Sequence, residues 1–134
     1  MSQNDHAAET AALGPITGRA LVVGASSGMG AEIVRELVRR GYAVAALARR
    51  GDELDKLRAE APERIQVRVH DVHATGEVPA LFEELVRALG GLDLVVYAAG
   101  VMPKIGPLDF DTPTDAEILA VNTVGAIAWC NTAA

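Results

Sequence analysis

The sequence has few cysteines and no excess of positive charge. It holds one cysteine, Cys130, so a framework of internal disulfides is excluded. Because Cys130 lies in an apolar stretch, we expect a buried and unreactive thiol. Lysine and arginine number 12 against 18 aspartate and glutamate residues, which gives a formal net charge of −6. This acidic balance argues against a nucleic-acid partner, since such a partner requires a basic face.

Long hydrophobic runs are also lacking. No stretch approaches the roughly 18 uncharged apolar residues that suggest a membrane span. The nearest is segment 118–134, which is interrupted by polar residues such as Asn122 and Asn131, and for which we expect a buried helix. Asp5 and Glu9 stand where a secretory signal would carry positive charge. The sequence therefore predicts no membrane association and a cytoplasmic location.

What the sequence does contain is a regular alternation of apolar and amphipathic segments. After residues 1–15, which we expect to form a flexible tail, the pattern predicts strands at 20–24, 43–48, 65–70 and 92–98 and helices at 31–40, 52–61 and 77–89. The capping-box spacing Thr114-Asp115-Ala116-Glu117 predicts the start of a last helix. This order is typical of an α/β fold, a Rossmann-type doubly wound parallel sheet. Its ligands bind outside the carboxyl ends of the strands, so one crevice should be bordered by Gly24, Ala48, Asp71 and Ala98.

The first predicted strand runs into glycines spaced G-x-x-x-G-x-G, namely Gly24, Gly28 and Gly30. The first allows a sharp turn, and the other two remove side chains where a phosphate and a neighbouring strand approach. Amides at the start of the following helix bind anions, and Ser26 and Ser27 can add hydroxyl donors. An ordinary glycine turn is the alternative, but the position between a strand and an amphipathic helix favours a nucleotide diphosphate.

The second predicted strand ends in Arg49-Arg50. A dinucleotide site that prefers NAD usually has an acidic residue here, whereas arginine suits a 2′-phosphate. The alternative is a solvated basic pair, and the nearby Asp52 and Glu53 keep NAD(H) open. We favour NADP(H).

Two further polar residues are candidates for the site. Asp71 follows the third strand and can accept a hydrogen bond from an adenine amino group while Val72 packs on the ring; turn or helix capping is the alternative. Asn122 lies within an apolar helix, where its spacing alone favours a structural hydrogen bond to the backbone. His70 and His73 flank Asp71 without carboxylate or cysteine partners at ligand spacing, so no metal site is predicted.

Together these motifs resemble the short-chain dehydrogenase/reductase family over residues 17–134. The resemblance implies NAD(P)-dependent interconversion of a small-molecule alcohol and carbonyl. It places Ser26, Ser27 and Met29 along the phosphates, and Asn122 where the family's helix asparagine holds a proton-relay water. The residues that carry the resemblance are the three glycines, Arg49, Asp71-Val72, Ala98-Ala99-Gly100 and Val121-Asn122 with Gly125. Of these, Ala99 and Gly100 would border the nicotinamide-side ribose.

The sequence departs from the family pattern in two ways. Tyr97-Ala98 stand where the family often has two asparagines. The family's catalytic serine, and its tyrosine and lysine in Tyr-x-x-x-Lys spacing, follow the asparagine helix and do not occur in this sequence, whose two tyrosines are Tyr42 and Tyr97. We therefore expect residues 16–134 to be an incomplete NAD(P)-binding Rossmann domain, truncated after the fourth strand and the following helix and inactive alone.

The first hypothesis is the NADP(H)-binding part of a short-chain reductase. The alternatives are an NADP(H)-sensing module without chemistry and an interaction fragment. The fourth strand would be an apolar edge that invites association. The resemblance also implies a homo-oligomer formed through the late helices, for which Ile127, Ala128 and Trp129 are candidates.

Overall fold

Four parallel strands and five α-helices alternate along residues 14–134, the part of the chain that the computed structural model describes. Residues 1–13 of the tail predicted for residues 1–15 lie outside the described residues. A 3-10 turn, Thr75–Glu77, precedes the third helix, and a π-helical segment, Ala120–Val124, joins the last two helices. The elements are β1 (Gly18–Val23), α1 (Gly28–Arg39), β2 (Tyr42–Ala48), α2 (Gly51–Glu60), β3 (Ile65–Val69), α3 (Val78–Leu89), β4 (Leu94–Tyr97), α4 (Thr112–Leu119) and α5 (Gly125–Ala133).

The strands form one sheet in the order β3-β2-β1-β4. Every neighbouring pair is parallel, and Leu21 of β1 stands opposite Ala45 of β2 and Val95 of β4. The chain adds strands outward on one side of β1 and then returns to its other side. This is the doubly wound, Rossmann-type arrangement that the alternation predicted, and the fold class is confirmed.

Side chains of β1 alternate between two hydrophobic cores. Ala20 and Val22 face α1 and α2, where they pack with residues such as Val34 and Leu54. Leu21 and Val23 face the opposite side, where α3 and α5 supply residues that include Leu85 and Trp129. A strand covered on both faces has no position for a polar side chain, which explains the uninterrupted apolar run before Gly24.

Besides the start of the last helix, three element boundaries differ from prediction by more than one residue. Strand β1 begins at Gly18, two residues early, because its pairing with β2 extends that far. Helix α1 begins at Gly28, three residues early, because the glycine loop itself already turns into the helix. Strand β4 begins at Leu94, two residues late. Before it, Asp93 pairs with Arg19 twice: its backbone amide donates to the Arg19 carbonyl at 2.8 Å, and its carboxylate accepts from the Arg19 amide at 2.8 Å.

The predicted capping box at Thr114 is wrong. Helix α4 begins at Thr112, and its N-cap is Asp111, whose carboxylate accepts from the Thr114 amide at 3.2 Å. Aspartate is a better N-cap than threonine, and Pro113 fits the first turn of the helix because it needs no hydrogen-bond acceptor there.

The uncharged segment 118–134 is buried on one side only. Val121, Gly125 and Trp129 lie four residues apart and face the core. Cys130 is exposed, so the prediction of a buried thiol is wrong. One residue advances about 100° around a helix, which turns Cys130 away from the stripe that ends in Trp129. None of the described helices has the length and apolar character of a membrane span.

Candidate functional site

A crevice of about 260 Å³ opens at the carboxyl ends of the neighbouring strands β1 and β4. This is the point at which the strand order reverses and where open α/β sheets bind ligands. Its wall includes many of the residues singled out from the sequence and several that were not: Gly24, Ser26, Ser27, Ala48, Arg49, Arg50, His70, Val72, His73, Ala98, Ala99, Gly100, Val101 and Val121. Gly28, Met29, Gly30, Asp71 and Asn122 lie beside the crevice and do not line it.

The glycine loop between β1 and α1 is shaped by close backbone contacts. Gly24 has a φ of +89°, and a Cβ there would lie 2.6 Å from the Ala99 Cα. A Cβ at Gly30 would overlap the carbonyl group of Gly24. Gly28 also has a positive φ, +58°, but nothing stands within 4 Å of the place where its Cβ would be. Gly24 therefore packs closely against the residues that follow β4, and Gly30 packs against the loop itself, whereas Gly28 leaves open space.

The amino end of α1 has no side-chain cap. Its N-cap residue, Ser27, makes no capping hydrogen bond, and the first turn contains no acidic residue. The first amides of a helix have no partner within it and carry partial positive charge. Met29 is 77% exposed at this end. The start of α1 is therefore suited to an anion.

Arg49 and Arg50 follow β2 and are both exposed. The Arg50 guanidinium donates to the Ser27 hydroxyl at 2.9 Å, which ties the basic pair to the glycine loop. Of the acidic residues that follow, Glu53 pairs with Lys56 at 3.2 Å. Among residues 14–134 neither of the two arginines forms a salt bridge, so both charges remain available at the crevice.

Asp71 is engaged by a histidine. Its Oδ1 atom accepts from the His73 amide at 3.0 Å and lies 2.6 Å from His73 Nδ1. The other ring nitrogen of His73 lies 2.9 Å from the Glu117 carboxylate of α4. The hydrogen bonds from His73, first that of its backbone, lower the pKa of Asp71, and the bonds to Asp71 and then Glu117 raise the pKa of His73. The sequence spacing gave no sign of the contact with Glu117, 44 residues away.

His70 lines the crevice, a position that the sequence reasoning did not predict. It is only 2% exposed, and its Nδ1 lies 2.7 Å from Glu77. The indole N–H of Trp129 donates to His70 Nε2 at 3.3 Å, with the two rings edge to face. Because an indole only donates, Nε2 is the acceptor and the proton of the neutral ring sits on Nδ1, toward Glu77. No local sequence signal could reveal a partner 59 residues away.

The opposite wall joins the end of β4 to the π-helical segment. The side-chain amide of Asn122 makes two hydrogen bonds to the Val101 backbone: Oδ1 accepts from the amide at 2.7 Å, and Nδ2 donates to the carbonyl at 2.9 Å. The Tyr97 hydroxyl donates to the carbonyl of Val121. Residues 98–100 of the wall thus lie between two attachments to adjacent helical residues.

Comparison with protein families gives one match that covers most of the chain. The family model described as short chain dehydrogenase matches residues 19–134. Among curated proteins, farnesol dehydrogenase of Aedes aegypti is 34% identical over 113 residues, which are 81% of this chain and 46% of that protein. An uncharacterized oxidoreductase of Mycobacterium tuberculosis is 41% identical over 86 residues, 60% of this chain and 34% of its own length.

Solved structures give the same picture. A variant of actinorhodin polyketide ketoreductase, crystallised with NADPH, is 28% identical, with a TM-score of 0.79 over 86% of this chain and 45% of that chain. A short-chain dehydrogenase from Streptomyces avermitilis is 25% identical, with a TM-score of 0.79 over 86% of this chain and 42% of that one. The chain spans less than half the length of each of these relatives.

Proposed function

The chain belongs to the short chain dehydrogenase family, a family of oxidoreductases, and from that premise we propose that its crevice binds NADP(H). The observation that carries the choice of cofactor is the basic pair after β2. Arg49 and Arg50 stand at the crevice where an NAD site would have an acidic residue, and Arg50 is held against the glycine loop by Ser27. A guanidinium can bind a 2′-phosphate through two parallel hydrogen bonds.

The glycine loop and the start of α1 would hold the pyrophosphate. The amides of α1 are uncapped by side chains, and Gly28 leaves open space beside them. Ser26 and Ser27 line the crevice, and Met29 lies exposed beside it. This cradle fits a phosphate group, because a Cβ or a capping carboxylate would occupy the place that an anion needs.

The two ends of the nucleotide would lie against different strands. At the adenine end, Val72 offers an apolar wall, and Asp71 retains Oδ2 as an acceptor for an amino group while Oδ1 is engaged by His73. At the nicotinamide end, Ala98, Ala99 and Gly100 line the wall with little side chain. Such a wall allows a ribose to approach the backbone closely.

For the whole protein we propose hydride transfer between a small-molecule alcohol and carbonyl. The nicotinamide supplies or accepts the hydride when the cofactor is bound. Asn122 would hold a water molecule of the proton path, and its exposed amide is already fixed by Val101. The proton itself would come from the family's Tyr-x-x-x-Lys motif, acting with the family's catalytic serine; neither of the two tyrosines of this sequence has a lysine four residues later.

The cofactor proposal is tested by calorimetric titration of the chain with NADPH and with NADH. We expect NADPH to bind more tightly. Arg49→Ala should weaken NADPH binding by about 10- to 100-fold, the value of a charge-assisted hydrogen bond of about 1.5–3 kcal/mol, and should leave NADH binding nearly unchanged.

Arg58→Ala is the matched control, since Arg58 is an exposed arginine of α2 that pairs with Asp55 and does not line the crevice. It should change neither affinity. Equal binding of NADPH and NADH by the unmodified chain, or an equal loss of both in Arg49→Ala, would contradict the proposal.

A further inference from the structure

The end of β4 is fastened to the helical residues at two consecutive positions. The Tyr97 hydroxyl donates to Val121, and the Val101 backbone pairs with the side chain of Asn122. Tyr97 and Val101 enclose residues 98–100, which line the crevice. The position of that wall relative to Asn122 is therefore set by one backbone segment with an attachment at each end.

Tyr97 fits into a space that the helix leaves for it. A Cβ at Gly125 would overlap the Tyr97 hydroxyl and lie 3.3 Å from its Cζ and 3.2 Å from the Cβ of Val72. Gly125 is buried within its helix, and its φ is an ordinary helical −59°. Its lack of a side chain therefore serves the approach of the tyrosine and not a special backbone conformation.

The tyrosine also meets the helix where its hydrogen-bond pattern changes. Residues Ala120–Val124 are π-helical, a form that is rare and that shifts backbone hydrogen bonds from one acceptor to the next. Val121 lies inside this segment, and its carbonyl accepts from Tyr97. Burial raises the pKa of Tyr97, so the hydroxyl keeps its proton and remains a donor at ordinary pH.

We propose that Tyr97 is a positioning residue: by holding the Val121 carbonyl it fixes Asn122 and the wall of residues 98–101 for the nicotinamide half of the cofactor. The inference rests on the proposed function, since it assigns that half of NADP(H) to this wall. It predicts that loss of the hydroxyl weakens binding of the nicotinamide half and leaves binding of the adenosine half unchanged.

The test compares two ligands in the full chain: NADPH, and adenosine 2′,5′-bisphosphate, which has the adenosine half alone. Tyr97→Phe removes one hydrogen bond and no bulk. We expect it to weaken NADPH about fivefold, as befits one neutral hydrogen bond, and to leave the bisphosphate within about twofold. The ratio of the two affinities in one sample does not depend on the folded fraction.

Two further variants complete the comparison. Tyr42→Phe is the matched control, because Tyr42 begins β2 and packs on Gly18, at the other end of the sheet from the crevice; it should change neither affinity. Gly125→Ala places a methyl group where the hydroxyl lies and should lower the NADPH affinity in the same selective way. Unchanged binding in Tyr97→Phe, or a parallel loss of both ligands, would overturn the inference.

A second readout needs no nucleotide. The Val101 amide donates to Asn122, and its hydrogen exchange should accelerate about fivefold in Tyr97→Phe, while the Val44 amide, bonded to the Arg64 carbonyl, should exchange at its former rate. If the unmodified chain binds neither ligand but Val101 responds in this way, the proposed function fails and the positioning role stands. Equal acceleration at Val44 and Val101 would show a general loss of stability and overturn that role.

Discussion

The two walls of the crevice are built in different ways. The wall formed by the glycine loop and the end of β2 is shaped by missing side chains: Gly24 and Gly30 leave no room for a Cβ, and one described side-chain hydrogen bond, from Arg50 to Ser27, spans it. The wall formed by β4 and the π-helical segment is shaped by side chains, through the bonds of Tyr97 and Asn122.

This difference separates two kinds of rigidity. In a wall set by close backbone packing, a single substitution causes a large loss of stability, because an added atom has no space to occupy. In a wall set by hydrogen bonds, a single substitution causes a small loss, because each bond contributes only about 0.5–1.5 kcal/mol. Substitutions in the first wall should therefore cost more than substitutions in the second.

The largest effect is expected for Gly30→Ala. The added methyl group would overlap the Gly24 carbonyl, and since this neighbour is backbone, the loop itself must shift. We expect the free energy of unfolding in urea to fall by about 1–3 kcal/mol, as for other overpacked sites, and NADPH binding to be lost in calorimetry.

Gly76→Ala is the control for this substitution. Gly76 lies in the turn before α3, and nothing stands within 4 Å of the place that an added methyl group would take. Its replacement should therefore change stability by less than about 0.5 kcal/mol. If the two variants proved equally stable, close packing would not be what shapes the glycine wall.

An intermediate effect is expected for Asn122→Ala, which removes both bonds to Val101. Because the site is exposed, water replaces part of what is lost, and the free energy of unfolding should fall by about 1 kcal/mol. Urea unfolding measures this change. The control variant Asn131→Ala, at an exposed asparagine of the same helical region, should leave the free energy of unfolding nearly unchanged. A decrease as large as that of Asn122→Ala would contradict a specific stabilising role for the hydrogen bonds to Val101.

The smallest effect is expected at His73, which lines the crevice and joins Asp71 to Glu117. Its pKa is raised in the folded chain above the ordinary 6.5. The stabilisation is therefore fully present below pH 6.5 and is lost as the pH rises through the raised value. The contribution is small because exposed ion pairs are screened by water.

Urea unfolding at several pH values, compared between the unmodified chain and His73→Gln, checks this. The difference in stability between the two should shrink as the pH rises from below 6.5 to well above it. A difference that stays constant with pH would contradict a role for the charged ring.

The unequal construction of the walls also explains what the sequence can predict. The doubly wound fold and the glycine loop follow from local patterns, since apolar strands, amphipathic helices and the spacing of Gly24, Gly28 and Gly30 each fall within a few neighbouring residues. The predicted start of α4 is wrong because two acceptors, Asp111 and Thr114, compete for the same local role, and only the structure shows that Asp111 takes it.

Contacts between distant residues are beyond such reasoning. Tyr97 and Val121 are 24 residues apart, and His70 and Trp129 are 59 apart. The family resemblance makes Trp129 a candidate for a subunit interface, yet the structure buries it completely, in contact with His70. Periodicity shows that a helix has an apolar face. Only the packing of that helix against the sheet shows which residues the face contacts.

The contact between Trp129 and His70 allows binding in the crevice to be followed by tryptophan fluorescence. Trp129 is the one tryptophan of the sequence, so all indole emission of the chain comes from a single ring that touches a residue of the crevice wall. Reduced nicotinamide absorbs in the spectral region where indole emits. Occupancy of the crevice can therefore be followed as quenching of this one emitter, without a label.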